Sequence, residues 1–204
     1  MNIVGHSLGV AAFRLAPKTQ DPLSMIEFAY LEYTRKHRKS IRFPMETGYG
    51  SESGEQTFRR AIKEEIEGSK ELKYRILEPM IYKETIPDDK LERGRHLKVF
   101  SLIQITSGLV RSRPILDGEA TLGPILFASF PDLMEMMDDR GVRGHKCALL
   151  LSTGFLLREY GISEAWKSKV APLHREWVQK YQNRCLRVDG SAEDLENYRK
   201  YLGF

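Results

Sequence analysis

Cysteine is scarce in this chain of 204 residues, which contains only Cys147 and Cys185. Two cysteines are too few for a disulfide framework or a thiolate metal site, so each is interpreted as an unpaired thiol. The sequence also lacks zinc-ligand spacing, internal repeats, low-complexity tracts and any apolar run long enough to span a bilayer. We therefore expect neither a membrane protein nor a small disulfide-stabilised scaffold.

The composition is typical of a globular protein, with 41% hydrophobic and 29% charged residues. The length suits one domain with an extension. Residues 1–17 lack the basic start, sustained apolar segment and cleavage site of a secretory signal, which leads us to expect a cytoplasmic protein. The formal net charge of +4 favours anionic ligands without requiring a nucleic acid.

Local patterns predict a mixture of strands and helices, beginning with several strands. Residues 8–15, 74–86 and 97–105 have the apolar character of strands and are bounded by turn-forming or charged segments. Residues 24–33 are compatible with a strand or a short helix, and a strand is preferred. Residues 109–116 are interpreted as an additional edge segment.

The second half of the chain is predicted to be mainly helical. Residues 124–137 indicate a strand that turns directly into a helix, since Pro and Asp follow the aromatic residue at the turn. Residues 145–160 have the dense aliphatic spacing of a buried helix. Residues 162–186 and 191–204 indicate two further helices, the second with Ser191 as its N-cap.

One motif in the first strand suggests a different chemistry. Residues 5–9, GHSLG, satisfy the G-x-S-x-G pattern of the nucleophile elbow in serine hydrolases. That elbow requires a preceding buried strand and earlier strands that supply the oxyanion hole, and only four residues precede Gly5. We therefore reject a serine hydrolase and interpret His6 and Ser7 as strand-entry residues.

The most informative stretch is a glycine-punctuated loop followed by an acidic amphipathic helix, residues 43–68. Phe58, Ile62 and Ile66 recur every four positions, so they share one helical face that is predicted to be buried. Glu64 and Glu65 are adjacent, and the loop residue Glu52 could fold back near them. Such a cluster of hard carboxylate oxygens would suit Mg²⁺ or Mn²⁺.

This stretch resembles the signature of the Nudix hydrolases, G-x5-E-x7-R-E-U-x-E-E-x-G-U, often preceded by F-P-G, where U is a bulky aliphatic residue. The positions that match without a gap are Phe43-Pro44 on F-P, Glu52 on the first Glu, Arg60 on the Arg, Ile62 on U and Glu64-Glu65 on the paired Glu. The positions that depart are Met45 and Glu46 after the proline, Ala61 in place of the Glu after the Arg, and Glu67-Gly68 on the final G-U. The match is therefore partial.

A second register places Gly54-Glu55 on the G-E of the motif and Lys63-Glu64 on its R-E. This register puts Glu65 on the aliphatic position and Glu67 on the first paired Glu. The first register is preferred because it keeps the apolar stripe buried and preserves the spacing from Phe43-Pro44.

The resemblance implies a fold and an activity. The expected fold is an α/β/α sandwich around a mixed β-sheet over residues 1–160, with residues 161–204 as a C-terminal helical extension packed on it. The expected reaction is hydrolysis by water of a nucleoside diphosphate linked to another group, a pyrophosphohydrolase reaction assisted by Mg²⁺ or Mn²⁺. The expected substrate is therefore a nucleotide-like small molecule.

The resemblance also implies roles for individual residues. The metal ligands would be Glu52, Glu64 and Glu65. Arg60 would orient these carboxylates through charge-assisted hydrogen bonds. Because a carboxylate from a later loop assists the metal or the water in many members of the family, Glu119 is the candidate for that role.

The alanine at position 61 leaves two outcomes open. Either another acid, such as Glu55 or Glu119, replaces the missing carboxylate and the protein is a hydrolase, or the site is degenerate and the domain binds nucleotides or partners without turnover. A third reading is an RNA-facing enzyme or binder. It ranks below the first two.

A basic run immediately precedes the motif and bears on all three readings. Its members are Arg35, Lys36, His37, Arg38, Lys39 and Arg42. It is interpreted either as a solvated hairpin turn or as a rim that steers phosphates, with Arg38 and Arg42 as candidate substrate-binding residues. The sequence leaves open whether the protein forms a homodimer.

Overall fold

The computed structural model describes residues 3–16, 21–49, 51–87 and 95–185. It confirms the predicted α/β class, with a mixed sheet of nine strands and helices on both of its faces. The strands are β1 (Ile3–Leu15), β2 (Ile26–Arg35), β3 (Arg38–Arg42), β4 (Met45–Thr47), β5 (Lys73–Pro87), β6 (Arg95–Ser107), β7 (Ile115–Asp117), β8 (Ala120–Leu122) and β9 (Leu126–Ser129). The helices are α1 (Gly54–Arg60), α2 (Phe130–Arg140), α3 (Arg143–Glu159) and α4 (Glu164–Cys185).

The first strand is central to the sheet, whose main path runs β5-β6-β1-β2-β8-β7. Strand β1 pairs in parallel with β6 and antiparallel with β2 and β4. Strands β3 and β9 both pair with β2. The GHSLG motif lies within β1 rather than at a turn from a strand into a helix, so the structure agrees with its rejection as a nucleophile elbow.

Side chains of β1 alternate between two hydrophobic cores, as the period of a strand requires. Leu8 and Val10 belong to the core under α1, whereas Ala11 and Phe13 belong to the core under α2, α3 and α4. Each face of the sheet is thus covered by helix, which produces the predicted sandwich.

The helix of the Nudix-like stretch begins at a capping box, in which Ser53 accepts from the backbone of Gln56 and Gln56 accepts from the backbone of Ser53. After Arg60 the backbone continues as a π-helical segment, Ala61–Ile66. Such wide turns are frequent at functional sites. The predicted stripe is confirmed, because Phe58, Ile62 and Ile66 are all buried.

Other sequence predictions have mixed outcomes. Strand character in 109–116 is limited to β7 and an isolated bridge from Val110 to Glu67. The expectation of an unpaired thiol is wrong for Cys147, which is buried and disulfide-bonded. The predicted tail helix over 191–204 lies outside the described residues.

The described part of the C-terminal extension is helix α4, which packs on α3 and on the turn Pro22–Met25. Trp166 on this helix is fully buried in the core shared with α2 and α3. The division of the chain at residue 160 stays a prediction. None of the described helices is both long and apolar enough to cross a bilayer.

Candidate functional site

Arg60, on the helix of the Nudix-like stretch, forms hydrogen bonds to the preceding loop. Its Nε donates to Oε1 of Glu52 at 3.1 Å and its Nη2 donates to Oε2 at 2.9 Å. Nη2 also donates to the backbone oxygen of Thr47 at 2.7 Å, and Nη1 pairs with Glu46. The bidentate contact between Arg60 and Glu52 joins the two residues that the preferred register assigns to the Arg and the first Glu of the motif.

Glu65 points into the protein, and its carboxylate is buried. Its side chain accepts a hydrogen bond from the backbone N–H of Met45 at 2.8 Å, and the residue is only 5% exposed. Burial raises the pKa of Glu65 to about 7, although the Met45 hydrogen bond and the charge of Arg111 act in the opposite direction. A buried carboxyl that titrates near neutral pH is a candidate functional group.

Two of the three predicted metal ligands, Glu52 and Glu64, lie beside Arg60, whereas Glu65 points into the protein. Glu52 is held by Arg60, and the side chain of Glu64 is 57% exposed with its Oε2 3.7 Å from Nη1 of Arg60. Position 61, where the motif has a Glu, is a fully buried alanine. Among the residues that the structure describes, no group of three or more His, Cys, Asp or Glu side chains could hold a metal ion.

A cavity of about 240 Å³ is lined by Glu65 and by polar side chains from seven other elements of the fold. Its polar lining residues are Ser7, Tyr33, Arg42, Thr47, Glu65, Lys98, Asp117 and His145. It therefore combines two carboxylates, two cations, two aliphatic hydroxyls and an imidazole. That combination can bind an anion and a cation side by side, as a metal-bound phosphate requires.

The later acid that reaches this cavity is Asp117 rather than the candidate Glu119. Glu119 is 66% exposed and pairs with Lys36 at 3.5 Å on the protein surface. Gly118 has φ of +58° and turns the chain between β7 and β8, which puts Glu119 at the hairpin tip. The Asp-Gly pair in the sequence was the available signal, since it is typical of a tight hairpin.

The basic run forms the hairpin of β2 and β3, with Lys36 and His37 at positive φ in its turn. An open groove of about 770 Å³ follows it and is lined by Tyr33, Arg35, Lys36, Arg38, Lys39, Ser40 and Arg42. Of the two candidate substrate-binding residues, Arg38 lines only this groove, whereas Arg42 lines both the groove and the cavity. The Arg42 guanidinium lies 3.8 Å from the centre of the Tyr33 ring.

His145, on α3, is a cavity residue that sequence reasoning missed. Its Nδ1 accepts the backbone N–H of Phe43 at 3.0 Å, so the neutral ring carries its proton on Nε2. Burial, together with the charges of Arg42 and Lys98, lowers the pKa of His145 well below its ordinary value. The ring is therefore a neutral donor near pH 7. No local pattern could reveal this, because its partner is 102 positions away.

Known structures resemble this fold. A Listeria monocytogenes protein assigned to the NUDIX hydrolases matches with a TM-score of 0.56 at 15% sequence identity, over 76% of this chain and 96% of that chain. A NUDIX hydrolase from Nitrosomonas europaea matches with a TM-score of 0.50 at 11% identity, over 74% and 88% of the two chains. No protein-family profile and no curated protein matches the sequence. Since the identities are this low, the likeness concerns architecture alone, and the chain has the fold of the Nudix hydrolases.

Proposed function

We propose that this protein is a pyrophosphohydrolase that cleaves the phosphoric anhydride of a nucleotide-like substrate with the help of Mg²⁺ or Mn²⁺. The observation that carries the proposal is the cavity beside the Nudix-like helix, in which Glu65 and Asp117 face the same space as Arg42 and Lys98. Carboxylates suit a divalent ion, and cations suit the phosphate oxygens that such an ion accompanies.

The donor set fits a magnesium site of the kind that substrates complete. Mg²⁺ is usually held by one or two carboxylates together with substrate phosphates and water, so three protein ligands are not required. Glu65 and Asp117 would supply the carboxylates inside the cavity, with Glu64 nearby as a third acid whose charge also acts on Glu65. Glu52 is a weaker candidate for direct ligation because Arg60 occupies both of its oxygens.

The chain contributes binding and orientation to the reaction. Arg42 and Lys98 bind oxygens of the substrate phosphates, and His145 adds a neutral N–H donor to the same cavity. Arg60 is a positioning residue, since it fixes the loop through Glu52. A bound divalent ion would neutralise charge on the phosphates and lower the pKa of the attacking water. Water attacks phosphorus and releases a proton, the anhydride P–O bond breaks, and the electron pair of that bond leaves with the departing phosphate group.

A second candidate function is ligand binding without turnover. It is favoured by Ala61, which removes one carboxylate from the motif and is fully buried. The cavity would then retain its cations and lose the metal-dependent chemistry. A role in RNA recognition ranks third, and a cytoplasmic location and a homodimer stay predictions.

The decisive experiment is a product screen with Mg²⁺ or Mn²⁺ over nucleoside triphosphates, dinucleoside polyphosphates, nucleotide sugars and capped RNA. The parent is compared with Glu65→Gln and with Glu71→Gln, which removes an exposed acid outside the cavity. Turnover that is lost only in Glu65→Gln supports the hydrolase. Nucleotide binding without any product supports the second candidate, and full activity in Glu65→Gln contradicts the proposed site.

A further inference from the structure

We propose that Ser7, Thr47 and Lys98 form, together with Arg42, a binding subsite for one phosphoryl group of the substrate. This inference rests on the proposed function and assigns a ligand to cavity residues of which only Thr47 belongs to the Nudix-like stretch. All four residues line the same cavity as Glu65 and come from four different strands.

The sheet register places three of these residues in one row. Ser7 on β1 is paired directly with Thr47 on β4 and with Lys98 on β6. Directly paired residues on neighbouring strands present their side chains on the same face of a sheet. The row therefore offers two hydroxyls and an ammonium group to one side of the sheet.

The two hydroxyls form a hydrogen-bonded pair, and the tautomer of His96 decides whether one of their protons is left for a ligand. The Oγ of Ser7 lies 2.9 Å from Oγ1 of Thr47 and 2.7 Å from Nε2 of His96. When His96 donates its Nε2–H to Ser7, the two hydroxyl protons serve only one mutual hydrogen bond. One hydroxyl proton then remains for an acceptor in the cavity.

The two cations are weakly compensated by the rest of the chain. Among the described residues, no carboxylate lies within ion-pair distance of Arg42, whose Nε instead donates to Ser40 at 2.8 Å. In the described part of the chain, the one carboxylate within ion-pair distance of Lys98 is that of Glu84, at 4.0 Å, the outer limit of an ion pair. By contrast, Arg60 is surrounded by carboxylates. Arg42 and Lys98 therefore keep positive charge that no close ion pair within the chain neutralises, and such charge in a concave site attracts an anion.

A phosphoryl group fits this donor set better than a carboxylate does. Its oxygens point in several directions, and the subsite supplies a planar fork, an ammonium and a hydroxyl from separate strands. The cavity of about 240 Å³ is below the roughly 300–1,000 Å³ of sites that enclose a whole ligand. The remainder of the substrate would therefore extend outside, and the groove beside Arg42 and Tyr33 adjoins the cavity there.

The test measures binding of ADP and of inorganic pyrophosphate by calorimetry in a buffer with a chelator, so that no divalent ion contributes. The variant Lys98→Met is compared with the control Lys70→Met, because Lys70 is exposed and does not line the cavity. A second test variant is Thr47→Val, which replaces the hydroxyl of an exposed residue by a methyl group of similar size. We expect Lys98→Met to weaken binding about 10-fold or more and Thr47→Val to weaken it about 3-fold. Lys70→Met should bind like the parent.

Ser7→Ala provides a further variant, with thermal unfolding to check that this buried site still folds. Unchanged affinity in both Lys98→Met and Thr47→Val overturns the subsite, as does a parent that binds neither probe. Glu65→Gln separates this inference from the proposed function. If Glu65→Gln abolishes turnover while Lys98→Met and Thr47→Val both leave binding intact, only the subsite fails. If Glu65→Gln leaves turnover intact while Lys98→Met weakens binding, the subsite stands and the catalytic assignment of Glu65 fails.

Discussion

Arg111 donates its Nε–H to the backbone carbonyl oxygen of Glu65 over 2.9 Å, and both residues are more than nine-tenths buried. The backbone N–H of Arg111 donates to the carbonyl of Ile66 at 2.7 Å, and its own carbonyl accepts from Ile125 at 2.9 Å. Arg111 thus joins the end of the π-helical segment to the loop region that leads to β7 and Asp117. This cation at a helix C-terminus also opposes the effect of burial on the pKa of Glu65.

Replacement of Arg111 by methionine should reduce the free energy of unfolding by about 2–4 kcal/mol, because the main-chain carbonyls of Glu65 and Arg113 lose their hydrogen-bond donor. Denaturant unfolding monitored by circular dichroism measures the effect. Arg113→Met is the matched control, since Arg113 is exposed in the same loop. Equal stability of the two variants would contradict the role of Arg111.

Replacement of Arg60 by lysine should reduce turnover by about 10- to 100-fold while affinity for substrate changes little. Lysine keeps the charge but cannot span both oxygens of Glu52. The control is Arg59→Lys, because Arg59 makes an exposed ion pair with Glu55 on the same helix. Comparison of kcat and KM checks the prediction. A higher KM with unchanged kcat would argue instead that Arg60 contacts the substrate directly.

Stability should depend on pH through Glu65. Its pKa is raised from 4.5 to about 7 in the folded state, so the folded protein keeps a proton that the unfolded chain releases. The free energy of unfolding should therefore fall as pH rises between these values, by up to about 3 kcal/mol from this one group.

The Glu65→Gln variant should lose this part of the pH dependence. In a chelating buffer, it should be more stable than the parent at about pH 8 and similar at about pH 5. Glu64→Gln, at the exposed neighbouring position, should behave like the parent. If the free energy of unfolding depends on pH in the same way in the parent and in Glu65→Gln, burial of this carboxylate does not cost stability.

The two acids of the β7–β8 hairpin should differ in activity. Asp117→Asn should lower turnover at least about 10-fold and weaken Mg²⁺ or Mn²⁺ activation, because it removes one of the two carboxylates that line the cavity. Glu119→Gln should change turnover and metal activation little, since the side chain of Glu119 faces Lys36 at the surface. Metal titrations of activity check both, and the reverse ranking would support the assignment made from sequence.

Neutralisation of the hairpin cations tests the RNA alternative. Replacing Arg35, Lys36, Arg38 and Lys39 by glutamine should reduce the salt dependence of binding if single-stranded RNA follows the basic groove. Fluorescence anisotropy with a labelled oligonucleotide at several salt concentrations measures the slope. An unchanged slope would remove RNA as a partner of this surface.

Predictions from the sequence worked best where neighbouring residues set the answer. The stripe of Phe58, Ile62 and Ile66 follows from helical periodicity, and burial confirms it. The contact of Arg60 with Glu52 joins residues eight positions apart, so it lies within one loop and helix. The edge segment at 109–116 was only partly correct, because Leu109 and Arg111 bond to Gly68 and Ile66 after the helix and strand β7 begins only at Ile115.

The sequence by itself therefore determined the α/β class, the amphipathic helix and the local pairing of its loop, since each depends on side-chain periodicity or on short spacing. Only the tertiary structure decided which polar groups share the cavity. Ser7 and its hydrogen-bond partner His96 lie 89 positions apart in the sequence, and Phe43 and its partner His145 lie 102 apart. Sheet register and helix packing bring these groups together, and a local pattern contains no information about either.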